Sequence, residues 1–330
     1  VHVIDASRAV GVMSKLMNEE DRETFVEERR DEYRAIRIQR REGKKVKRLS
    51  MEKARARKFV CDWSKYQAPS PKSKEPKIFS DYSLEELIGY IDWSPFFHAW
   101  ELKGKYPGIL ESPKYGKEAS TLFEDGQNLL DRIVSENLLV AKAVIGFFAA
   151  RSEDELVRVD GTEFHFPRQL VDKGSNETNY SLADFIAPSD DWLGLFAVTT
   201  GHGADELAKT FEGENDDYNA IMAKVLADRL AEAFAERLHE RVRKEFWGYA
   251  TAEGLDNAGL IREKYRGIRP APGYPACPAH EEKDKIWKLL NVEENTGISL
   301  TETRAMYPAA SVSGWYFSHP ESRYFSVKYN

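Results

Sequence analysis

The sequence predicts an α+β fold, and three observations carry that expectation. Two apolar runs, LLVAKAVIGFFAA at 138–150 and WLGLFAVTT at 192–200, read as buried strands. One long segment, Asp217 to Trp247, places Ile221, Val225, Leu226, Leu230, Phe234, Leu238, Val242 and Phe246 at helical spacing. Helical and strand segments follow one another in mixed order at short separations, not as repeating βαβ units.

From the start, VHVIDASRAVGVMSKLM reads as a strand end at Val1, Val3 and Ile4. A helix follows from Arg8, capped within Asp5-Ala6-Ser7 and continuing through EEDRETFVEERRDEYRAIR. A strand with no neighbour nearby leads us to expect residues 1–36 to be the tail of a preceding domain. Residues 37–57 are expected to be a basic linker. Between Arg37 and Lys58, eleven basic residues face only Glu42 and Glu52, although the whole chain carries a net charge of −7. Such a run can bind nucleic acid, but it lacks interleaved aromatics and is tethered to an acidic body. A solvated linker is the expectation, and nucleic acid is not an expected partner.

The main domain is expected over residues 58–330. Ser83-Leu84-Glu85-Glu86 reads as a capping box before a helix to Ile91, which Asp92-Trp93-Ser94-Pro95 ends. Phe96, Phe97 and Trp100 form an apolar cluster. Glu118 to Asn137 is a helix with Leu122, Leu129, Leu130 and Ile133 on one side. Glu155 to Val159 is a strand, and Tyr180 to Ile186 a short strand or turn. Gly248 stops the long helix. Pro278 opens the next, with Glu281 and Glu282 in its first turn and Gly297 as its end. SGWYFSHPESRYFSV reads as two aromatic strands joined by a turn.

Composition narrows the class. With 42% hydrophobic residues and no apolar run of spanning length, the chain reads as globular, and no membrane is expected. Two cysteines, Cys61 and Cys277, are too few for a disulfide framework, so a cytoplasmic setting is the expectation. Cys277 and His280 would make half a metal site, but no second pair accompanies them, so no metal is expected. Nothing resembles a catalytic triad, and no catalytic residue is assigned.

The stretch RPAPGYPACPAH, 269–280, is the most distinctive. Its prolines exclude an interior helix or a central strand. Pro270 biases Arg269 to an extended backbone, which aims the guanidinium from a fixed direction and suits bidentate capture of a carboxylate or phosphate. Ala271 and Gly273 leave room for a ligand at the backbone. The plain alternative is a stiff connector laid across the core.

GIRPAPGYPACPAH at 267–280 resembles the signature of the activation domain of cobalamin-dependent methionine synthase. YIDWSPFF at 90–97, GKYP at 104–107, DDYNAIM at 216–222, LADRLAEAFAERLHERVR at 226–243 and ASVSGWYFS at 310–318 are similar to that family in the same order. VHVIDASRAVGV resembles the end of the cobalamin-binding domain that precedes it. The resemblance implies a single curved domain with a central antiparallel sheet, packed helices, and a shallow groove crossed by the proline ribbon. It implies S-adenosylmethionine as methyl donor to cob(I)alamin, formed when flavodoxin or a related flavoprotein reduces stalled cob(II)alamin. The implied partners are the cobalamin-binding domain and that flavoprotein. The histidine motif D-x-H-x-x-G of the cobalamin domain is absent, so this chain alone is not expected to hold cobalamin well or to make methionine.

Residue by residue, the resemblance places the ligand on Asp92, Arg269, Tyr324 and Phe325. Arg269 would take the α-carboxylate, Asp92 the α-ammonium, and Tyr324 with Phe325 the adenosine end. Backbone groups of Ala271, Gly273 and Tyr274 would read the adenine. Asp228, Glu232 and Glu263 occupy positions of an acidic lining. Taken alone, Asp92 reads first as a helix-end residue and Tyr324 as a core aromatic, while the three carboxylates read equally as solvated surface groups. A docking module that recruits the flavoprotein and cages cobalamin, without its own ligand, is the second functional reading.

Overall fold

The computed structural model describes residues 12, 15–42, 47–174 and 177–327. They fall into two units, Val1–Arg48 and Leu49–Asn330. In the first, helix α1 (Glu19–Glu42) buries Phe25, over which Lys15 and Arg29 lie at 5.4 and 5.6 Å. α1 runs past Arg37, so the first part of the expected basic linker is helix. The expected strand at Val1–Ile4 and the helix start at Arg8 lie outside the described residues.

The second unit begins at Leu49, not at Lys58. Helix α2 (Met51–Arg55) is capped by Ser50, whose hydroxyl accepts from the Lys53 N–H. Arg55 pairs with Glu155 at 2.6 Å and Asp154 at 3.3 Å, and Arg57 with Asp172 at 2.9 Å. These arginines are spent on carboxylates, which corrects the expectation of a solvated linker through residue 57.

Strand β1 (Lys77–Tyr82) leads into a single helical turn, α3 (Glu85–Ile88). The expected capping box at Ser83 does not form: Leu84 occupies the cap position without a side-chain bond, and Gly89 ends the turn well before Ile91. Pro95 does not end a helix but opens one, α4 (Ser94–Ala99), because a first-turn proline lacks only an N–H that needs no partner. α5 (Gly116–Ser135) buries Leu122, Leu129, Leu130 and Ile133, the face expected from spacing. Strands β2 (Val140–Glu153), β3 (Leu156–Val159), β4 (Thr162–His165) and β5 (Asp191–His202) follow, with a short 3-10 turn at Leu182–Phe185.

Helices α6 (Ala204–Gly213) and α7 (Asp217–Arg241) come next, and α7 ends in a π turn at Val242–Phe246 before Gly248 at φ 80°. Ile221, expected on the buried stripe, is 53% exposed; Met222 takes its place inside. A row of alanines, Ala223, Ala227, Ala231 and Ala235, is also buried and lets α7 press close to the sheet. There the Thr200 hydroxyl donates to the Ala227 carbonyl at 2.7 Å. After α8 (Asn257–Ile261), the helix expected from Pro278 starts at Glu282. It splits at Asn291 (φ 46°) into α9 (Glu282–Leu290) and α10 (Val292–Thr296). Strands β6 (Ser299–Leu300), β7 (Met306–Tyr307) and β8 (Ser311–Tyr316) complete the chain.

The main sheet is antiparallel throughout, in the order β4-β3-β2-β5-β8, with β1 also pairing with β2. Along β2 the partner on one edge changes from β1 at Ala141–Ile145 to β3 at Ala150–Glu153, so the sheet curls. Both faces are covered, as the unbroken apolar runs require. Ile145, Phe147, Phe196, Val198 and Tyr316 face the layer containing α7, and Val144, Leu193, Leu195 and Trp315 face the core built on α9.

Only one of the two expected aromatic strands at the chain end forms. The free edge of β8 is already taken. Ile268 and Phe317 exchange backbone bonds at 3.0 and 3.1 Å, and the Trp315 N–H donates to the Pro270 carbonyl at 3.0 Å. Tyr324 and Phe325 therefore lie in irregular chain.

Behind the 3-10 turn, Arg168 is 2% exposed and held by Glu155 at 2.6 Å and Asp184 at 2.7 Å. Burial pushes the Glu155 pKa up, but hydrogen bonds from Arg55 and Arg168 outweigh it, and the net direction is down. A carboxylate lowered in this way stabilises above its unfolded pKa, and the contribution is lost as pH falls through the folded value. Arg168→Leu would leave buried Asp184 without its cation and Glu155 with Arg55 alone. A loss of about 3 kcal/mol at neutral pH is expected in urea unfolding, shrinking on acidification.

Candidate functional site

A cleft of about 250 Å³ lies between α7, the chain before α4, and the segment from Leu260 to Arg269. Its charged lining is Asp92, Arg229, Glu232, Glu236, Glu263 and Arg269, two arginines against four carboxylates. Arg229, Glu232, Ala233 and Glu236 recur at three- and four-residue intervals, so they form one stripe of α7 beside its core face. A larger hollow of about 430 Å³ gathers Arg151 and Arg158 with Asp160, Glu163, Asp190 and Asp191, but Arg158 is already paired with Glu153 and Glu163, and Arg151 is exposed.

Arg269 reaches the cleft because of the ribbon's pairing with β8. Side chains alternate along extended backbone, so Ile268 enters the α9 core and Arg269 turns to the opposite face. Pro270 has no N–H, and its position asks only for an acceptor. Gly314 makes the approach possible: a Cβ there would stand 2.4 Å from the Pro270 oxygen. Gly267, at φ 86°, is needed for the same reason, since a Cβ would stand 2.5 Å from the Phe317 oxygen.

The guanidinium of Arg269 is held on one side only. Nη1 lies 2.7 Å from Glu236 Oε2, donates to the Tyr265 hydroxyl at 3.1 Å, and stands 3.5 Å from His239 Nδ1. Nη2 and Nε meet no acceptor among the described residues. Burial works against the charge, but Glu236 and the tyrosine hydroxyls outweigh it and hold the arginine protonated. His239 is fully buried, and that burial, with Arg243 and Arg269 nearby, keeps its ring neutral. The ring stacks on Tyr316 at 5.2 Å.

The other residues singled out from the sequence are only partly gathered here. Asp92 lines the cleft, and its Oδ1 accepts from the Ser94 N–H at 2.9 Å, which fixes the carboxylate at the start of α4. Burial pushes the Glu232 and Glu263 carboxyls above their usual range, with Arg269 opposing in both. Glu263 also has φ 54°, a left-handed backbone that a glutamate adopts at a cost, and one typical of functional sites. Asp228 is exposed and paired with Arg229. Tyr274 is 57% exposed, and the nearby charges of Glu232 and Asp228 add to burial in raising its phenol pKa.

Tyr324 acts below the ribbon: its hydroxyl accepts the Arg269 N–H at 3.0 Å. Phe325 stacks on Tyr180 at 5.7 Å, against the other core. The ribbon closes on itself in a tight turn. Gly273 N–H donates to the Cys277 carbonyl at 2.8 Å and Tyr274 N–H to the Ala271 carbonyl at 3.3 Å, so neither donor is open. The Ala271 N–H has no acceptor among the described residues. Gly273 is required by packing, since a Cβ would stand 2.2 Å from the His280 ring. Sequence reasoning missed Glu236 and Tyr265. The signal for Glu236 was its place one turn beyond Glu232; nothing local marked Tyr265.

A family model described as "Vitamin B12 dependent methionine synthase, activation domain" matches residues 83–329. Among solved structures, a crystal structure of the MetH reactivation domain bound to AdoHcy is similar to this chain, with 50% identity and a TM-score of 0.81. The match covers 85% of this chain and 89% of that one.

Gly314→Ala should push the ribbon off β8 and cost about 2 kcal/mol, read as a lower thermal midpoint. Gly89→Ala, whose added Cβ meets nothing within 4 Å, is the control expected to stay near wild type.

Proposed function

The chain belongs to the activation-domain family of vitamin B12-dependent methionine synthase, and on that premise we propose that the Arg269 cleft binds S-adenosylmethionine for reductive reactivation of the enzyme. The observation that carries the reading is the pair of open donors on Arg269, facing a cleft with an excess of carboxylates. An amino-acid carboxylate fits the fork of Nη2 and Nε. The free oxygen of Asp92 suits the α-ammonium. Glu232 and Glu263 suit a sulfonium, which adds a second positive charge to the ligand. The AdoHcy held by the similar solved domain supports the same ligand class.

The adenosine end would lie along the ribbon, toward the Ala271 N–H and the exposed ring of Tyr274. Tyr324 would serve by bracing Arg269, and Phe325 by packing on Tyr180. Cobalamin, held mainly by the preceding domain, would supply the reduced cobalt that accepts the methyl group. This chain's task is to hold the methyl donor in line, which needs orientation and charge complementarity but no base or nucleophile of its own. The proposed partners are the cobalamin-binding domain and a flavodoxin-type reductant. The domain is a methyltransferase component and is not expected to make methionine alone. We place this work in the cytoplasm; no helix among the described residues is long and apolar enough to cross a membrane.

Calorimetric titration tests the reading. Wild-type chain is expected to bind S-adenosylmethionine, and Arg269→Lys, which keeps the charge but not the fork, to bind at least about tenfold more weakly. A folded wild-type chain that binds none would favour the docking module instead.

A second expectation concerns pH. Ionised Glu232 and Glu263 attract a sulfonium, and their raised pKa values mean that ionisation is completed only above the usual carboxylate range. Affinity for S-adenosylmethionine should therefore keep rising as pH is raised beyond the usual carboxylate range, more than that for the uncharged thioether S-adenosylhomocysteine. Equal slopes in parallel titrations would remove these carboxylates from the sulfonium site.

A further inference from the structure

We infer that Glu236 is a positioning residue that presets the Arg269 guanidinium for the ligand carboxylate, an inference that rests on the cleft reading above. Glu236 is 7% exposed, and a carboxylate in such a place needs a cation. It has one on one oxygen only. Oε2 lies 2.7 Å from Arg269 Nη1, whereas buried Oε1 has no hydrogen-bond partner and stands 3.9 Å from Arg243 Nη1. Arg243 is held mainly elsewhere, although its buried Nη1 also lacks a hydrogen-bond partner and faces Glu236 Oε1 across that 3.9 Å. That arginine is bound through two nitrogens to Glu253, at 2.6 and 2.9 Å, and lies 4.2 Å over the Tyr265 ring. A buried carboxylate with one oxygen short of a hydrogen bond calls for an explanation beyond packing.

What Glu236 does is take Nη1 out of play. With the Tyr265 hydroxyl and the neutral His239 ring on the same nitrogen, three groups draw one corner of the guanidinium to the floor of the cleft. A planar guanidinium anchored at one corner has little rotational choice, so Nη2 and Nε are left as a fixed fork. Glu236 sits on α7 one turn beyond Glu232, and α7 is fastened to the sheet by its alanine row, so the anchor is rigid.

Two ligands separate this role from a general structural one. S-adenosylhomocysteine carries the amino-acid group; 5′-methylthioadenosine has the same adenosine and thioether but lacks it. In calorimetric titrations of the full chain, Glu236→Ala should weaken S-adenosylhomocysteine about tenfold or more while leaving methylthioadenosine within about twofold. Glu236→Gln, whose amide oxygen still accepts from Nη1, should recover most of the loss. If Glu236→Ala does not fold, Glu236→Asp serves: it keeps the charge but draws the anchor back by one methylene, and the same ligand-selective loss is expected. Variants that bind S-adenosylhomocysteine as wild type does, or that lose both ligands in proportion, overturn the role of Glu236 alone. Wild-type chain that fails to bind S-adenosylhomocysteine overturns the cleft reading, and this inference with it.

Discussion

The antiparallel pairing of residues 268–270 with strand β8 is the contact on which the cleft depends. Three backbone bonds, between Ile268 and Phe317 and from Trp315 to Pro270, turn a proline-rich connector into an edge strand. That edge tolerates a proline because the partner at Pro270 donates and asks for nothing back. Strand alternation then does the aiming, with Ile268 into the core and Arg269 out of it. Two glycines, at 267 and 314, let the backbones approach, and Tyr324 closes the arrangement by accepting the Arg269 N–H. By occupying the edge of β8, the ribbon also denies the last aromatic segment a strand of its own.

The charge balance of the cleft follows from which elements meet there. α7 contributes a polar stripe on the flank of an otherwise apolar helix, and the ribbon contributes one arginine. A buried cation is costly unless a carboxylate faces it, and Glu236 meets that need from the helix floor. Glu232, Glu263 and Asp92 then exceed what Arg229 and Arg269 can neutralise, so the site as built has a negative surplus. A zwitterion bearing an additional positive charge satisfies both halves at once. Burial, with a smaller push from Glu236, raises the Glu232 and Glu263 carboxyls.

Rigidity is distributed in the same way. The layer behind the cleft is packed by Phe234, Leu238, Phe196 and Tyr316, with His239 stacked on Tyr316. A neutral, fully buried histidine is an acceptor that does not compete with the arginine for charge. On the proposed reading, methyl transfer to a strong nucleophile would ask the protein for direction more than for acid–base help, which a guanidinium anchored over a packed sheet would suit.

Much of this was legible in the residues. The apolar runs of β2 and β5, the face of α5 and the core stripe of α7 followed from periodicity, because burial on a regular element repeats with that element's period. The quoted motifs identified the family, and with it Asp92, Arg269, Glu232 and Glu263 as neighbours. Local signals failed where tertiary contacts outbid them. Ser83 lost its capping role to a strand ending at Tyr82, Pro95 opened a helix it was expected to end, and the basic linker was drawn onto Glu155 and Asp172. Glu236, Tyr265 and Tyr324 acquired their roles only in three dimensions. Each acts on Arg269 from a different stretch of chain, and no pattern within one segment records which side chains another will bring to it. The sequence determined the elements, their buried faces and the kinship. The fold alone decided how Arg269 is held, because pairing a ribbon to a sheet edge is a choice among edges that local chemistry does not make.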